Sequence, residues 1–492
     1  MMRLVLILAI LIPTFSIAQE EHNHPAPERL GTVSFPTACK PATQREFDRG
    51  VALLHSFAYK AAEEAFRDVA GHDSRCAIAH WGIAMTHFHQ LWEPPLPPSG
   101  ISAEQNEISQ AEILEEASER ERGFIQALSL VFKDASTVPY RTRALNYETA
   151  MRELAAANPK DVEARVFYAL ALISNASPSD KEHRRQKMAA DLLEPLYRQF
   201  PDHPGIPHYL IHACDNQELA SRGLAAARAY AGIAPSAPHA LHMPSHIFTR
   251  LGLWDDSIAS NLAARRAADQ QGDAGEELHA MDYLVYAYLQ SGRDHEAAGV
   301  IRQLQDMQNL NMGDFKIGYA ATAMPVRYIV ERHRWSDAER VINPPVSAQL
   351  HVVAIAVWAR GLGFARSGHL QEAGKESEAL RQIEERLRAS GNDYWATQVD
   401  IMRREVMAWA AQAANHHDEA AVILSGAAKD EDGIEKLPVT PGPIIPAREQ
   451  LGELFLEQGN SAAAAKAFAT ALVNAPGRRG SLRGAAQAAH SH

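Results

Sequence analysis

Two short histidine motifs are the part of this 492-residue chain best suited to chemistry. The segments HYLIH and HMPSH each hold two histidines four residues apart, at His208 and His212 and at His242 and His246. On a helix, that spacing puts both imidazoles of a motif on one face, one turn apart, where a single metal ion can bind both. Each motif is therefore a candidate half of a metal site.

A wider set of nitrogen and oxygen donors shares the helix face that carries these motifs. In three successive predicted helices, one stripe of residues is apolar and predicts packing, and a second stripe, spaced by three and four residues, is polar. The second stripe contains six histidines and two aspartates: His208, His212, Asp215, His239, His242, His246, His279 and Asp282. Such donors suit Zn or Cu(II), and they are also compatible with Fe or Ni.

The metal hypothesis assigns ligand roles to His208, His212, His242, His246, His279 and Asp282. The expected cofactor is one or more transition-metal ions, and the donor types favour Zn or Cu over other metals. The alternative needs no cofactor: these side chains hydrogen-bond across a groove and to a guest. Outside this set, His55 is expected to end a helix, where a cation is favoured, with a groove role as the alternative, and His203 receives no role.

Seven stretches of the chain share one pattern: an apolar-periodic helix, a turn with a Gly or Asn in several copies, and a second helix. They are LHSFAYKAAEEAF (54–66), RLGLWDDSIASNL (250–262), LQSGRDHEAAGVI (289–301), RHRWSDAERVI (332–342), ARSGHLQEAGKES (365–377), AANHHDEAAVIL (413–424) and LEQGNSAAAAKAF (456–468). The pattern resembles the tetratricopeptide repeat, a helix-turn-helix unit of 34 residues. The resemblance covers about residues 43–489 and implies an all-α, right-handed superhelical solenoid.

In proteins of this repeat family, the polar stripe of the first helix lines the concave groove where ligands bind. The resemblance therefore implies a peptide, protein segment or small molecule as partner, with His239, Asp215, Arg327, Glu405, Glu449 and Glu453 as further groove residues. The motifs WGIAM, HPGIPHYLIH and HALHMPSHIFTRLGLW are also similar to those of a group of exported bacterial tetratricopeptide proteins with His-rich repeat helices, a similarity that implies no activity.

The first eighteen residues and the cysteines predict the compartment. Residues 1–18 contain Arg3, an apolar run too short to span a bilayer and a small-residue ending, which is typical of a cleaved secretory signal. We expect a periplasmic or secreted protein with no membrane span after cleavage. In an oxidising compartment, Cys39 and Cys76 are candidates for a disulfide, because they flank the first helical pair at ends that antiparallel packing brings together.

The predicted organisation is a continuous array with two insertions. The segments are a signal (1–18), a linker (19–40), N-terminal repeats (41–92), a Pro-rich loop (93–107), a central array (108–436), a second Pro-rich loop (437–446), and a C-terminal repeat with a capping helix (447–489).

Composition and missing motifs narrow the function. The net charge of −12 argues against a nucleic-acid partner. The chain lacks GxSxG, a Walker loop, a dinucleotide fingerprint and HExxH, so common hydrolase and nucleotide classes lose support. Three hypotheses remain: an exported binding protein with a metal ion in its groove, a metal-dependent hydrolase or oxidoreductase built in the superhelix, and a protein-protein interaction scaffold without metal.

Overall fold

The structure, a computed structural model, describes residues 28–91 and 98–490. The predicted signal lies outside these residues. All regular structure in the described ranges is helical, arranged as antiparallel helix pairs in tandem. The architecture is therefore the predicted all-α solenoid of tetratricopeptide-type hairpins. No helix in those two ranges combines the length and apolarity needed to cross a membrane.

The helices of the first half form hairpins in which each helix packs on its neighbours in the chain. Their bounds are α1 Gln44–His55, α2 Tyr59–His72, α3 Ala77–Met85, α4 Pro98–Ile113, α5 Glu119–Phe132, α6 Tyr140–Ala157, α7 Val162–Ser174, α8 Arg184–Gln199, α9 Gly205–Cys214, α10 Ala220–Ile233, α11 Pro238–His242, α12 Pro244–Arg250 and α13 Trp254–Gln271.

The second half continues the same arrangement and ends with a helix that packs on the last hairpin. Its helices are α14 Ala274–Gln290, α15 Asp294–Asp306, α16 Phe315–Val330, α17 Trp335–Ala338, α18 Leu350–Arg366, α19 Leu370–Ala389, α20 Asp393–Ala413, α21 His417–Asp432, α22 Ala447–Glu457, α23 Ser461–Asn474 and α24 Arg479–His490.

The turns within the hairpins explain why one sequence pattern recurs. In all seven repeated stretches, the turn residue has a φ between 53 and 82°, in the left-handed region that favours glycine. These residues are Phe57, Gly252, Gly292, His333, Gly368, Asn415 and Gly459. The same backbone turn therefore reverses the chain even in the copies that lack glycine.

Two predicted boundaries are wrong within the described residues. Residues 28–40 of the predicted linker pack on the array, and Phe35 is buried against Phe47, Trp81 and Phe124. Residues 98–107 of the first predicted loop belong to helix α4. Prolines at the start of a helix are compatible with helical geometry, so a Pro-rich composition did not mark the end of the loop.

The predicted disulfide between Cys39 and Cys76 is confirmed, with 4.9 Å between the two Cα atoms. Beside it, the backbone N–H of Lys40 donates a hydrogen bond to Asp73 Oδ2 (2.7 Å). Covalent and polar contacts thus join the entrance of α1 to the exit of α2.

The superhelix wraps far enough to bring distant repeats together. Residues 434–446, called here the closing segment, cross the concave side without helical structure. The segment is held to the N-terminal half by Lys181 Nζ, which lies 2.6 Å from Glu435 Oε1. The C-terminal end also returns to the middle of the array, where Trp254 Nε1 donates to Gly477 O (3.2 Å).

A buried histidine lies in the core of the second half, away from the histidine motifs. His351 stacks on Trp395 with 4.2 Å between ring centroids and 3% of its surface exposed. Burial lowers the pKa of His351 to about 3. The folded protein therefore holds this imidazole neutral in mildly acidic solution.

Replacing both Cys39 and Cys76 with Ser should weaken the N-terminal hairpin by about 3–4 kcal/mol, because the cross-link restricts the unfolded chain over a sequence separation of 37 residues. Hydrogen exchange of α1 and α2 measures this loss. Adding a reductant should loosen the wild-type hairpin similarly and leave the double variant unchanged. Equal protection in the oxidised wild type and the variant would contradict the expectation.

The His351→Phe variant should resist acid better than the wild type. Between the unfolded-state pKa of about 6.5 and the folded-state pKa of about 3, the unfolded chain binds a proton that the folded chain does not, so wild-type stability falls as pH falls. At pH 5 this contribution is about 2 kcal/mol relative to pH 7. Urea unfolding followed by tryptophan fluorescence at both pH values tests it. The exposed His416, replaced in the same way, is the control.

Candidate metal centre

Three successive hairpins position the histidine motifs. His208 and His212 lie on α9, His239 and His242 on α11, His246 on α12 and His279 on α14. Pro244 divides the first helix of the second hairpin into α11 and α12, because proline cannot supply the backbone N–H that a continuous helix requires.

The donor atoms converge in two groups of three. His208, His212 and His239 form the first triad, and His242, His246 and His279 form the second. Within each triad, one nitrogen from every ring lies within 4.8 Å of the other two. Each triad thus combines an i, i+4 pair with one histidine from the next hairpin, as the stripe spacing predicts.

The structure corrects the expected setting of these residues. The sequence predicts an open groove wall, but the six histidines are buried, with at most 6% of any one exposed. The closing segment lies on this side of the array, where Tyr283 Oη donates to the carbonyl oxygens of Pro438 (3.3 Å) and Thr440 (3.0 Å). The triads therefore lie inside the protein.

In the first triad, Nδ1 of His208 and of His239 meets a hydrogen-bond acceptor, whereas the buried Nδ1 of His212 has no hydrogen-bond partner among the described residues. His208 Nδ1 is 2.5 Å from the backbone oxygen of His55, which can only accept. His239 Nδ1 lies 3.1 Å from Glu276 Oε2. Donation from Nδ1 leaves Nε2 of each ring with a lone pair, which is the form that binds metal.

The second triad shows the same arrangement on both members of its motif. His242 Nδ1 donates to Asn261 Oδ1 (2.6 Å), an oxygen identified by the donation of Asn261 Nδ2 to Ser257 O. His246 Nδ1 donates to Asp215 Oδ2 (2.9 Å). The two Nε2 atoms, both unprotonated as a result, lie 3.0 Å apart.

Burial and charge fix the protonation states around the triads. Burial lowers the pKa of His242 well below 6.5 and that of His246 to about 4, so both are neutral near pH 7. Burial alone would raise the pKa of Asp215, but the charges of Lys436 and Arg250 hold it well below its usual value. Asp215 is thus an ionised acceptor for His246.

Asp215 joins the second triad to the closing segment. Its carboxylate lies 2.7 Å from Lys436 Nζ and 2.8 Å from Arg250 Nε. Arg250 also reaches Glu435 (3.2 Å). The prediction placed Asp215 among the residues that line the groove. In the structure, it accepts a hydrogen bond from the His246 nitrogen that points away from the triad.

A third cluster, which sequence reasoning missed, combines His55, Glu163 and His203. Glu163 accepts from His55 Nε2 (2.8 Å) and His203 Nε2 (2.9 Å). His55 Nδ1 meets Tyr209 Oη (2.9 Å), and His203 Nδ1 accepts from the N–H of Gly205 (3.1 Å). Every ring nitrogen has a partner, so this cluster is a hydrogen-bonded network that holds the His55 carbonyl against His208.

His55 does end α1 as predicted, but burial lowers its pKa, so it is not the cation expected at that helix end. The lack of a role for His203 is wrong. No local pattern identifies this network, because its three members come from residues more than 35 positions apart. One hint in the sequence is that His203 directly precedes the repeat that carries the first motif.

Asp282 is the predicted ligand that the structure does not bring to a triad. Its buried carboxylate faces Arg327, with 3.6 Å between Oδ1 and Nε. Arg327 also donates to the carbonyl oxygen of Pro443 in the closing segment (3.1 Å). Asp282 and Arg327 thus support the closing segment, and the ligand prediction for Asp282 is corrected.

The predicted acidic groove residues also lie apart from the triads. Glu405 accepts from Trp358 Nε1 (2.6 Å), and Glu453 lies 3.2 Å from His333 Nε2. Glu449 forms a buried ion pair with Arg478 (2.8 Å). Glu449 is thus a core residue, and none of the three belongs to a triad.

Each triad offers three imidazoles. Structural zinc sites are closed by four protein ligands, whereas catalytic sites use three and leave a position for water or substrate. An ion held by three nitrogens could therefore bind a further small ligand and acidify a bound water.

Comparisons with known proteins identify no family. No family model matches the chain, and no curated protein matches it in sequence. Similar solved structures include the TPR domain of P58(IPK), 12% identical with a TM-score of 0.23 over 92% of this chain and 98% of that chain. A human IFIT1 dimer with m7Gppp-AAAA is 11% identical, with a TM-score of 0.35, over 80% and 89%. The APC/C hetero-tetramer Cut9-Hcn1 is 10% identical, with a TM-score of 0.28, over 91% and 96%.

The Asp215→Asn variant should release the closing segment, because it leaves the buried Lys436 and Arg250 without their shared anion. Breaking a buried ion pair costs about 3–5 kcal/mol. Hydrogen exchange of residues 434–446 should speed up accordingly. The control is Asp432→Asn, which removes a more exposed partner of Arg448 and should cost no more than about 1 kcal/mol. Unchanged exchange in the Asp215 variant would contradict the role given to this carboxylate.

Proposed function

We propose that this chain is an exported metal-binding protein in which two buried tri-histidine sites hold transition-metal ions inside a helical-repeat superhelix. The contact between His242 Nε2 and His246 Nε2 carries the proposal. Both nitrogens bear lone pairs, because both Nδ1 atoms donate to acceptors, and the two lone pairs face each other at 3.0 Å.

Two lone pairs at this distance repel unless a cation lies between them. A proton would convert one ring into an imidazolium, which burial disfavours. A metal ion bound by both nitrogens and by His279 satisfies the same geometry while both rings stay neutral. The first triad has the same composition, although His212 Nε2 could also donate to His208 Nε2 across their 3.1 Å contact.

The donors favour copper or zinc. Each triad consists of imidazoles, with no thiolate and no carboxylate among its members. Imidazole suits Zn, Cu, Fe and Ni, and divalent affinities of such sites rise toward Cu. The acceptors behind the rings support this assignment, because metal-bound histidines commonly donate their second N–H to a carboxylate or carbonyl.

Export and a guest belong to the same proposal. The disulfide between Cys39 and Cys76 supports export, because disulfides form and persist in oxidising compartments. The closing segment occupies the concave side beside the triads, so a peptide, protein segment or small molecule must bind elsewhere along that side or displace the segment.

The protein purified from the exported fraction without chelator should contain about two metal ions per chain, or bind two Zn or Cu ions on reconstitution. His212→Gln and His246→Gln should each lose one ion, because each removes a ligand from a different triad. Elemental analysis gives the stoichiometry, and circular dichroism verifies the helical fold.

His351→Gln is the matched control, since it changes a histidine as buried as the ligands but outside both triads. This variant should keep both ions. X-ray absorption of the loaded wild type should show nitrogen ligands at about 2.0–2.1 Å for zinc. A chain that binds no metal after reconstitution, or both variants retaining two ions, would rule out the proposal.

A further inference from the structure

A second candidate binding place lies between the closing segment and the concave faces of the C-terminal repeats. It is a cavity of about 170 Å³ that none of the six triad histidines lines. Five aromatic residues are part of its wall: Tyr286, Tyr319, Trp358, Tyr394 and Trp395. Faces of Trp and Tyr rings attract cations through the quadrupole of the ring.

The cations at the wall of this cavity already have anionic partners. Lys181 and Arg250 both pair with Glu435. Lys436 pairs with Asp215, outside the cavity lining. The fourth cation, Arg448, lies 2.6 Å from Asp432. These four cations share three carboxylates, those of Glu435, Asp215 and Asp432, and two other carboxylates of the wall form no ion pair among the described residues.

Those two carboxylates are Glu405 and Glu431. Glu405 is 2% exposed and accepts from Trp358 Nε1, and Glu431 accepts from the N–H of Ala447 (2.7 Å). Neither forms an ion pair within 4 Å among the residues that the structure describes. Burial raises the pKa of both, that of Glu431 to about 8, so near pH 7 the empty cavity favours the protonated acids, and a cation bound between them would favour the ionised forms.

A polar atom of the aromatic wall also lacks a partner. The indole nitrogen Nε1 of Trp395 is buried and has no hydrogen-bond partner in the described chain, and 5% of the residue is exposed. A buried donor of this kind costs free energy unless a ligand or water accepts from it. Within the described residues, the cavity lining therefore combines aromatic residues, two buried carboxyl groups without an ion-pair partner and one indole donor without an acceptor.

We propose that this cavity binds a small organic amine in its ammonium form, with Glu405 and Glu431 as the counter-charge and the tryptophan and tyrosine rings around the alkyl part. A hydroxyl or carbonyl oxygen on the ligand accepts from Trp395 Nε1. The site shares no residue with the two triads. Because the closing segment forms one wall, the cavity is better suited to a small molecule than to a long polypeptide.

The probe is 4-amino-1-butanol, and 1,4-butanediol is its neutral counterpart of nearly the same size. Isothermal titration calorimetry of the full chain should show one bound aminobutanol, and the diol should bind at least about tenfold more weakly, because only the ammonium compensates the carboxylates. n-Butylammonium, which lacks the hydroxyl, should bind between the two. No heat with any ammonium probe, or equal affinity for the diol, would overturn the proposal.

Variants identify the residues. The double variant Glu405→Gln and Glu431→Gln should lose at least about tenfold in affinity for aminobutanol, whereas the exposed pair Glu378→Gln and Glu385→Gln should change nothing. Trp395→Phe should abolish the preference for aminobutanol over n-butylammonium. This variant tests the site independently, so the proposal stays testable if the glutamate variant does not fold. Unchanged affinity in a folded glutamate variant, or an unchanged preference in Trp395→Phe, would contradict the site. Metal content should be unaffected in each case.

Discussion

The buried carboxylate of Asp215 is the interaction on which the other features of this structure depend. It accepts from His246, and so fixes which nitrogen of that ring faces the second triad. It also pairs with Lys436 and Arg250, and so holds the closing segment on the concave side. An anion in this position is tolerable only because several cationic and polar donors surround it. The orientation of His246 and the closed shape of the superhelix thus depend on the same buried carboxylate.

The sequence predicts the repeating part of this arrangement well, because hairpin periodicity and helix spacing are local properties. The tetratricopeptide-type hairpins, the grouping of His208 with His212 and of His242 with His246, and the Cys39–Cys76 disulfide all follow from residues close in the chain or in one repeat. Such patterns report directly which side chains share a helix face.

The rest depends on contacts between distant residues, which a local pattern does not contain. Asp282 follows His279 at the helical spacing expected of a second metal ligand, yet its carboxylate faces the buried guanidinium of Arg327. Glu163 gathers His55 and His203 across the array. The burial of the triads could not be predicted either, because it depends on where the closing segment lies. In each case the deciding factor is the need to pair a buried charge or polar group, and the partner comes from another repeat.

The contact between Asp215 and Lys436 spans 221 positions along the chain, and this has a consequence for the order of assembly. The hairpins that carry the triads are complete by residue 306, and their contacts join neighbours in sequence, which form quickly. The closing segment can dock only after most of the remaining chain has been made or, in an exported protein, translocated. Assembly therefore includes an interval in which the histidines have gathered but are not yet enclosed, and ions could enter during that interval without any opening of the finished protein.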